Sequence, residues 1–227
     1  MSIILGIETS TKICSVAVSD GYKLLAIEEE GGEYSHSEKL TTFIQKVLER
    51  ANLNLKSIDA IAISKGPGSY TGLRIGVSVA KGLCYSLNKP LIAIDTLQAM
   101  ALGMLKNEKS ELYCSMIDAR RMEVYTALYD SNNNIVYPVS AKIIDENSFQ
   151  NHLKDNKVAF FGDGSAKCKE ALAQHKNAVF SDFGLPSAEF INELAVEKFN
   201  KKEFKDVAYF EPYYLKDFVA TKAKKLL

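Results

Sequence analysis

The chain carries no net charge, because 28 basic residues balance 28 acidic ones over 227 positions. There is therefore no global basic field to hold nucleic acid by charge alone. Four cysteines, Cys14, Cys84, Cys114 and Cys168, lie too far apart for the paired spacing of a zinc site. Each sits in an apolar or periodic segment and reads as a small buried residue of a reduced protein. The opening Met1-Ser2-Ile3-Ile4-Leu5-Gly6 lacks the basic region and cleavage site of a secretion signal. No apolar run approaches the roughly 18–20 residues that span a bilayer. A cytoplasmic protein with no membrane segment is expected. His36, His152 and His175 are widely separated and form no His-x-x-x-His pair. There is no Gly-x-Ser-x-Gly elbow and no cysteine with a histidine nearby in sequence. No strong catalytic constellation and no metal site are legible.

Hydrophobic residues make up 47% of the chain, enough for a buried core in one or two compact units. The pattern begins with three strands in a meander: 3–8, 13–19 and 22–28. A helix follows over 37–51. It opens with a capping box, Ser35 and Glu38, and carries an apolar stripe of Leu40, Phe43, Ile44, Val47, Leu48 and Ala51. A strand over 58–64 breaks at Gly66-Pro67-Gly68. A second helix runs over 72–87 and stops at Asn88 and Pro90. A strand over 91–94 leads to a third helix capped by Asp95 or Thr96 and reaching about Lys106. The second half repeats the plan. Strands cover 112–118 and 122–129, a turn at Asn132-Asn133-Asn134 precedes Ile135 and Val136, and a helix follows Asp145. A strand over 157–161 then runs into Gly162-Asp163-Gly164, Ser165 caps the next helix, and the last helix covers 187–200.

The halves overlay without gaps at their start: Ile7-Glu8 on Ile117-Asp118, Ala17 on Ala127, Val18 on Leu128, Asp20 on Asp130. Each half also has an apolar strand running into Gly-x-Gly. Two related α/β lobes are expected, 1–105 and 106–227, with a hinge near Gly103 to Ser110 and a C-terminal segment that packs back on the first lobe.

Three places could carry chemistry. Glu8-Thr9-Ser10-Thr11 at the first hairpin tip offers hydroxyls and backbone N–H groups for a phosphate, with Glu8 able to hold a metal-bound water. Taken alone, the same run reads more simply as an ordinary polar hairpin turn. Gly66-Pro67-Gly68-Ser69-Tyr70-Thr71-Gly72-Leu73-Arg74 joins a strand to a helix, where anions bind, although the Gly-Lys-Ser/Thr ending of a Walker A loop is absent. Arg74 in the first helical turn opposes the helix dipole, so it needs a partner: an anionic ligand, a carboxylate or an acidic surface. Gly72, Gly76 and Ala80, four apart, suit close packing within the chain or against a partner. Asp118 beside Arg120 and Arg121 invites a bidentate pair, structural or functional. A Lys-rich end, with Lys216, Lys222, Lys224 and Lys225, is a solvated tail or a nucleic-acid contact.

Several of these runs also resemble the TsaB (YeaZ) family. Leu5-Gly6-Ile7-Glu8-Thr9-Ser10-Thr11 with Cys14-Ser15-Val16-Ala17-Val18 looks like its opening. The stretch from Gly66 to Gly76, followed by Ala80-Lys81-Gly82-Leu83, is similar to its most distinctive motif. Asp118-Ala119-Arg120 with Glu123-Val124-Tyr125 resembles its second-lobe motif, and Gly162-Asp163-Gly164 and Pro212-Tyr213-Tyr214-Leu215-Lys216 stand in the family's order. Lys216 replaces the arginine that usually ends the last motif.

The resemblance implies an α/β, two-lobed fold of the actin/hexokinase/Hsp70 (ASKHA, ribonuclease H-like) type with mixed sheets and a shortened second lobe. It implies a non-catalytic subunit in threonylcarbamoyl modification of tRNA adenosine, partnered by the larger paralogue TsaD and by TsaE, with tRNA reached through the complex. The two first-lobe helices would form the TsaD-binding surface, with Leu40, Phe43, Val47, Arg74, Val77 and Lys81, and would pair two copies as a homodimer when TsaD is absent. Glu8, Thr9, Ser10, Thr11, Gly162, Asp163 and Gly164 would be a vestigial phosphate or nucleotide site. No intrinsic cofactor is implied; a nucleotide at the interface with TsaD is left open. Where TsaD carries metal-binding histidines, this chain has Thr96 and Met100, poor ligands for iron or zinc. The rival is an independent enzyme of the same fold, a small-molecule kinase using Glu8 or Asp118, or a metallopeptidase.

Overall fold

The computed structural model describes residues 2–32, 36–182 and 184–216. The Ser35 half of the capping box and Lys222, Lys224 and Lys225 lie outside the described residues. Near-continuous apolar runs set the centre of each sheet. β1 (Ile3–Glu8) pairs antiparallel with β2 (Ile13–Asp20), and β2 with β3 (Lys23–Gly31). Helix α1 (His36–Arg50) crosses over to β4 (Ala60–Ser64), which pairs parallel with β1; α2 (Tyr70–Leu87) crosses to β5 (Leu91–Ile94). The sheet order is β3-β2-β1-β4-β5.

Helix α3 (Thr96–Asn107) then leads into a second sheet. Strands β6 (Leu112–Asp118), β7 (Glu123–Asp130) and β8 (Ile135–Ile143) form the second meander. Helix α4 (Gln150–Asp155) precedes β9 (Val158–Phe161), α5 (Ser165–Leu172) precedes β10 (Ala178–Phe180), and α6 (Ala188–Asn200) follows. The order β10-β9-β6-β7-β8 is the first sheet's order read from the other edge. The duplication expected from the overlay is thus a duplicated topology in a two-lobed ASKHA fold.

Each lobe buries both faces of its sheet. In the first, Leu5, Ile7, Val16 and Val18 pack under the α1 stripe of Leu40, Phe43, Ile44, Val47 and Leu48. Burial of each such side chain contributes roughly 1.5–3 kcal/mol. The opposite face, with Ile4, Ala60, Ala62 and Ile92, receives Ile191 and Ala195 of α6. Asn192 Nδ2 donates to the carbonyls of Ile4 (3.3 Å) and Ala17 (3.1 Å), which pins the last helix to the first sheet. Helix α3 lies between the sheets, with Ala99 in the first-lobe core and Leu97, Met100 and Met104 against the inner face of the second.

Local readings shift in several places. Ile58 ends a 3-10 turn capped by Asn54, and β4 starts at Ala60. Gly103 to Asn107 continue α3, so the connection between the halves is shorter than the polar cluster suggested. Ser165 is the first residue of α5 rather than its cap: its hydroxyl donates to Gly162 O, 2.7 Å away, and Gly164 holds the cap position. Strand β8 extends to Ile143, and β10 was not anticipated. The ungapped overlay is right for β2 on β7 but slips by one residue for β1 on β6. Val18 pairs with Leu5, while Leu128 pairs with Cys114, 109 positions on from Leu5. A one-residue slip reverses the faces. Ile7 therefore packs under α1, whereas Ile117 faces α3.

Candidate functional site

The Glu8–Thr11 turn is covered by the glycine-rich loop. Ser69 caps α2 by accepting from Gly72 N at 3.2 Å, and its own N–H donates to Ser10 O at 2.6 Å. Thr9 Oγ1 donates to Gly72 O at 2.8 Å, and His36 Nε2 contacts Thr11 O at 2.7 Å. A Cβ at Gly68 would overlap the carbonyl oxygen of Ser10, which is why the loop needs glycine there. Gly76 and Ala80 settle inside the same chain, Gly76 against Thr9. Glu8, Thr9 and Ser10 are fully buried. Glu8 Oε1 accepts from Ser10 N at 2.5 Å, and among the described residues no hydrogen bond reaches Oε2. Burial pushes the Glu8 carboxyl up to about 7, although the Ser10 N–H and the hydroxyls of Ser10 and Ser64 act against the rise.

The second-lobe turn is built differently. Asp118 is half-exposed and is paired with Lys167 of α5 and with the Arg120 N–H at 2.8 Å, not with a guanidinium. Arg120 and Arg121 occupy a tight turn with φ of 72° and 49°, and the turn uses their backbone. Burial works against the Asp118 charge, but Lys167, the Arg120 N–H and Lys12 outweigh it and hold the carboxyl below its ordinary range. Asp163 Oδ1 accepts from Asp118 N at 2.9 Å. Burial and the Asp118 charge raise the Asp163 carboxyl. Lys12, which bears on both carboxylates from the first-lobe turn, was not singled out in the sequence. A Cβ at Gly162, where φ is +96°, would overlap Met116 O. Thus Gly162-Asp163-Gly164 packs on the end of β6 as Gly66-Pro67-Gly68 packs on the turn after β1. Thr96 is buried at the start of α3, and Met100 packs against Gly162. Among the described residues no three His, Cys, Asp or Glu side chains gather in a metal-binding arrangement.

Three motifs far apart in sequence converge where a C-terminal strap, 205–216, crosses between the lobes. Lys205 bridges to Leu91 at the edge of the first sheet. Tyr213 N donates to Lys65 O at 2.7 Å, and a Cβ on Gly66 would lie 2.8 Å from Tyr213 O. The Tyr214 ring packs against Tyr70 at 4.8 Å between centroids, tilted by 39°, and its hydroxyl accepts from Arg74 Nε at 3.3 Å. Arg74 also lies over the Tyr70 ring at 4.1 Å. Lys216 forms an ion pair with Glu123 at the start of β7. Gly68, Tyr125 and Leu215 line the small space between. Arg74 is the fifth residue of α2, past the first turn, and its partners are aromatic and phenolic rather than the anion or carboxylate anticipated.

Four of the side chains named as partner contacts are corrected by burial. Leu40, Phe43, Val47 and Val77 are at most 4% exposed and belong to the first-lobe core, because the apolar stripe of an amphipathic helix faces its own sheet. Arg74 is exposed and Lys81 is half-buried. What α1 presents outward is Thr41, Thr42, Gln45, Lys46 and Glu49; α2 presents Ser78, Gly82 and Tyr85, with Ile75, Val79 and Leu83 half-buried beside them.

Comparison with known proteins places this geometry among relatives. Residues 30–227 match the family model described as TsaD, tRNA N6-adenosine threonylcarbamoyltransferase. The tRNA threonylcarbamoyladenosine biosynthesis protein TsaB of Haemophilus influenzae is 30% identical over 228 residues, 96% of this chain and 95% of that protein. The protein of the same name from Escherichia coli is 32% identical over 229 residues, 96% of each chain. A crystal structure from Pseudomonas aeruginosa, described as similar to the peptidase YeaZ, superposes with a TM-score of 0.85 at 27% identity, covering 95% of this chain and all of that one. The component A of (R)-2-hydroxyglutaryl-CoA dehydratase from Acidaminococcus fermentans, at TM-score 0.51 and 10% identity over 89% of this chain and all of that one, shares the fold alone.

Proposed function

The chain belongs to the TsaB family, and from that premise we propose that it is a non-catalytic subunit of tRNA threonylcarbamoyladenosine biosynthesis, docking on a TsaD-type transferase and acting with TsaE in the cytoplasm. One observation carries this reading. The turn that would hold a phosphate in a fold of this type is spent inside the chain: Glu8, Thr9 and Ser10 are fully buried beneath the glycine-rich loop. A fully buried carboxyl whose pKa is lifted to about 7 and which accepts from the N–H of its own turn is poorly suited to hold a metal-bound water. Asp118, the other carboxylate a kinase of this fold could use, is neutralised by Lys167.

Docking then falls to the outward faces of α1 and α2. Ile75, Val79 and Leu83 form a half-buried apolar row beside Ser78 and Gly82. Glycine in a helix interior costs about 1 kcal/mol relative to alanine. At Gly82 an added Cβ would meet nothing within 4 Å among the described residues, so no contact among them asks for a glycine. Close approach of a partner helix accounts for it. Without that partner the same row would pair with a second copy by two-fold symmetry. Any nucleotide would sit at the interface with the transferase, and tRNA would be reached through the complex.

Co-elution with the TsaD-type transferase of the same organism, followed by light scattering, tests the reading. A one-to-one complex that Val79→Glu disrupts, with the circular dichroism of the isolated variant unchanged, is the expected result. Phosphotransfer by the purified chain that is lost in Glu8→Ala would favour the kinase instead.

A further inference from the structure

The strap does more than tie the lobes together. Its turn at 206–210 is rigid. Asp206 Oδ1 accepts from Ala208 N (2.8 Å) and Tyr209 N (3.3 Å), and Phe210 N donates to Asp206 O at 2.9 Å. Val207 and Phe210 pack on the first-lobe core. Tyr209, between them, is 85% exposed. From α2, Lys81 Nζ donates to Ala208 O (3.2 Å) and Phe210 O (3.0 Å), which fixes the turn against the helix. Tyr85, one helical turn beyond Lys81, is 87% exposed.

At about 100° per residue, Arg74, Lys81 and Tyr85 fall within a sector of about 40° on the strap side of α2. That helix contains no acidic residue. Arg74 uses Nε on Tyr214 and one face on Tyr70, which leaves the outer edge of its guanidinium for a bidentate partner. Among the described residues it has no ion pair, and Glu211 of the strap acts on it only through space. Two exposed tyrosines and an arginine beside a helix face that carries no acidic residue have the make-up of an interface core, in which Tyr and Arg dominate the binding energy.

We infer that the docking surface extends from α2 onto the strap, with Arg74, Tyr85 and Tyr209 as contact residues and Lys81 as the positioning residue. The partner it fits is a protein face that sets a carboxylate opposite Arg74 and apolar side chains against the two tyrosines. This inference rests on the docking reading above and identifies that face with the same transferase.

Isothermal titration of the transferase with the full chain tests it. Tyr209→Ala, Tyr85→Ala and Arg74→Met should each weaken binding about tenfold or more, and Arg74→Met should also flatten the dependence of affinity on salt. Lys81→Met should weaken binding less, with an unchanged melting temperature and increased hydrogen exchange confined to 206–210. Val79→Glu is the control for the parent reading. If Val79→Glu abolishes binding while the tyrosine and arginine variants stay within twofold of the unaltered chain, the strap is not part of the surface and the inference falls alone. If Val79→Glu has no effect while the strap variants weaken binding, the inference stands and the helix row is wrong. No complex with the unaltered chain removes both. Weakened self-association with unchanged transferase binding would make a second copy the occupant and overturn the assignment.

Discussion

The two lobes share one strand order and differ in their outer helices. The first lobe is covered by helices of 15 and 18 residues, the second by helices of 6 and 8. A sheet face needs only enough helix to remove it from water. The longer first-lobe pair offers long outward faces, while α4 and α5, with one and three buried residues, offer only short ones. A second contrast lies at the ends of β1 and β6. Glu8 and Asp118 both close the first strand of their lobe. One is fully buried with its carboxyl raised, and the other is half-exposed, paired with Lys167 and lowered. Both carboxylates end the first strand of their lobe, but the one-residue slip sets Glu8 on Ile117 rather than on Asp118, so the topology was kept while the carboxylates took different register positions and different environments.

The largest effect should come from breaking what the lobes have in common. Gly66→Ala and Gly162→Ala each drive a Cβ onto a backbone carbonyl oxygen, and both positions are also strained by a positive φ. Each should lose about 3 kcal/mol or more in urea unfolding. A large loss at one position alone would show that the two strand–glycine–helix units are not equivalent.

The carboxylates sharpen the contrast next. Glu8 has a folded pKa of about 7 against an ordinary 4.5, so the folded chain binds the extra proton between those values and loses stability as pH rises through that window. Glu8→Gln should remove the loss, raising stability by up to about 3 kcal/mol at pH 8 and having little effect at pH 4. Asp118 runs the other way. Its contribution is present above the ordinary carboxylate pKa and is lost as pH falls through its lowered value. Because that ion pair is solvent-screened, Asp118→Asn should cost less than about 1 kcal/mol at pH 7. Melting curves of Glu8→Gln across pH 4 to 8 and of Asp118→Asn from pH 7 down to about pH 2 check the opposite signs.

The smallest effect concerns the outward helix face. Gly82→Ala should stabilise the isolated chain by about 0.5–1 kcal/mol and weaken transferase binding, whereas an alanine that stabilises the chain and leaves binding unchanged would remove Gly82 from the docking surface.

Much of the fold was legible because periodicity is local. The α1 stripe, the β1–β3 meander and the end of α2 at Asn88 followed from residues within a few positions of one another. Strand β10 escaped notice because Ala178-Val179-Phe180 is too short to show a period, and it becomes a strand only by pairing with β9. The candidate site was legible as motifs but not as contacts. The strap motif from Pro212 to Lys216 gave no sign that it would meet Arg74, 140 residues from Tyr214. Leu40 and Val77 were readable as apolar, yet an apolar stripe looks the same whether it faces a core or a partner.

The sequence by itself determined the elements, their repetition in two halves and the positions where backbone must approach backbone. Spacing of apolar residues and placement of glycine are properties of the chain before it folds. Tertiary structure decided which face each element buries, that Glu8 would lie out of reach of solvent while Asp118 stayed in it, and that Tyr209 would be held outward. Those outcomes depend on desolvation and on hydrogen bonds between residues brought together from distant parts of the chain, quantities that no local pattern carries.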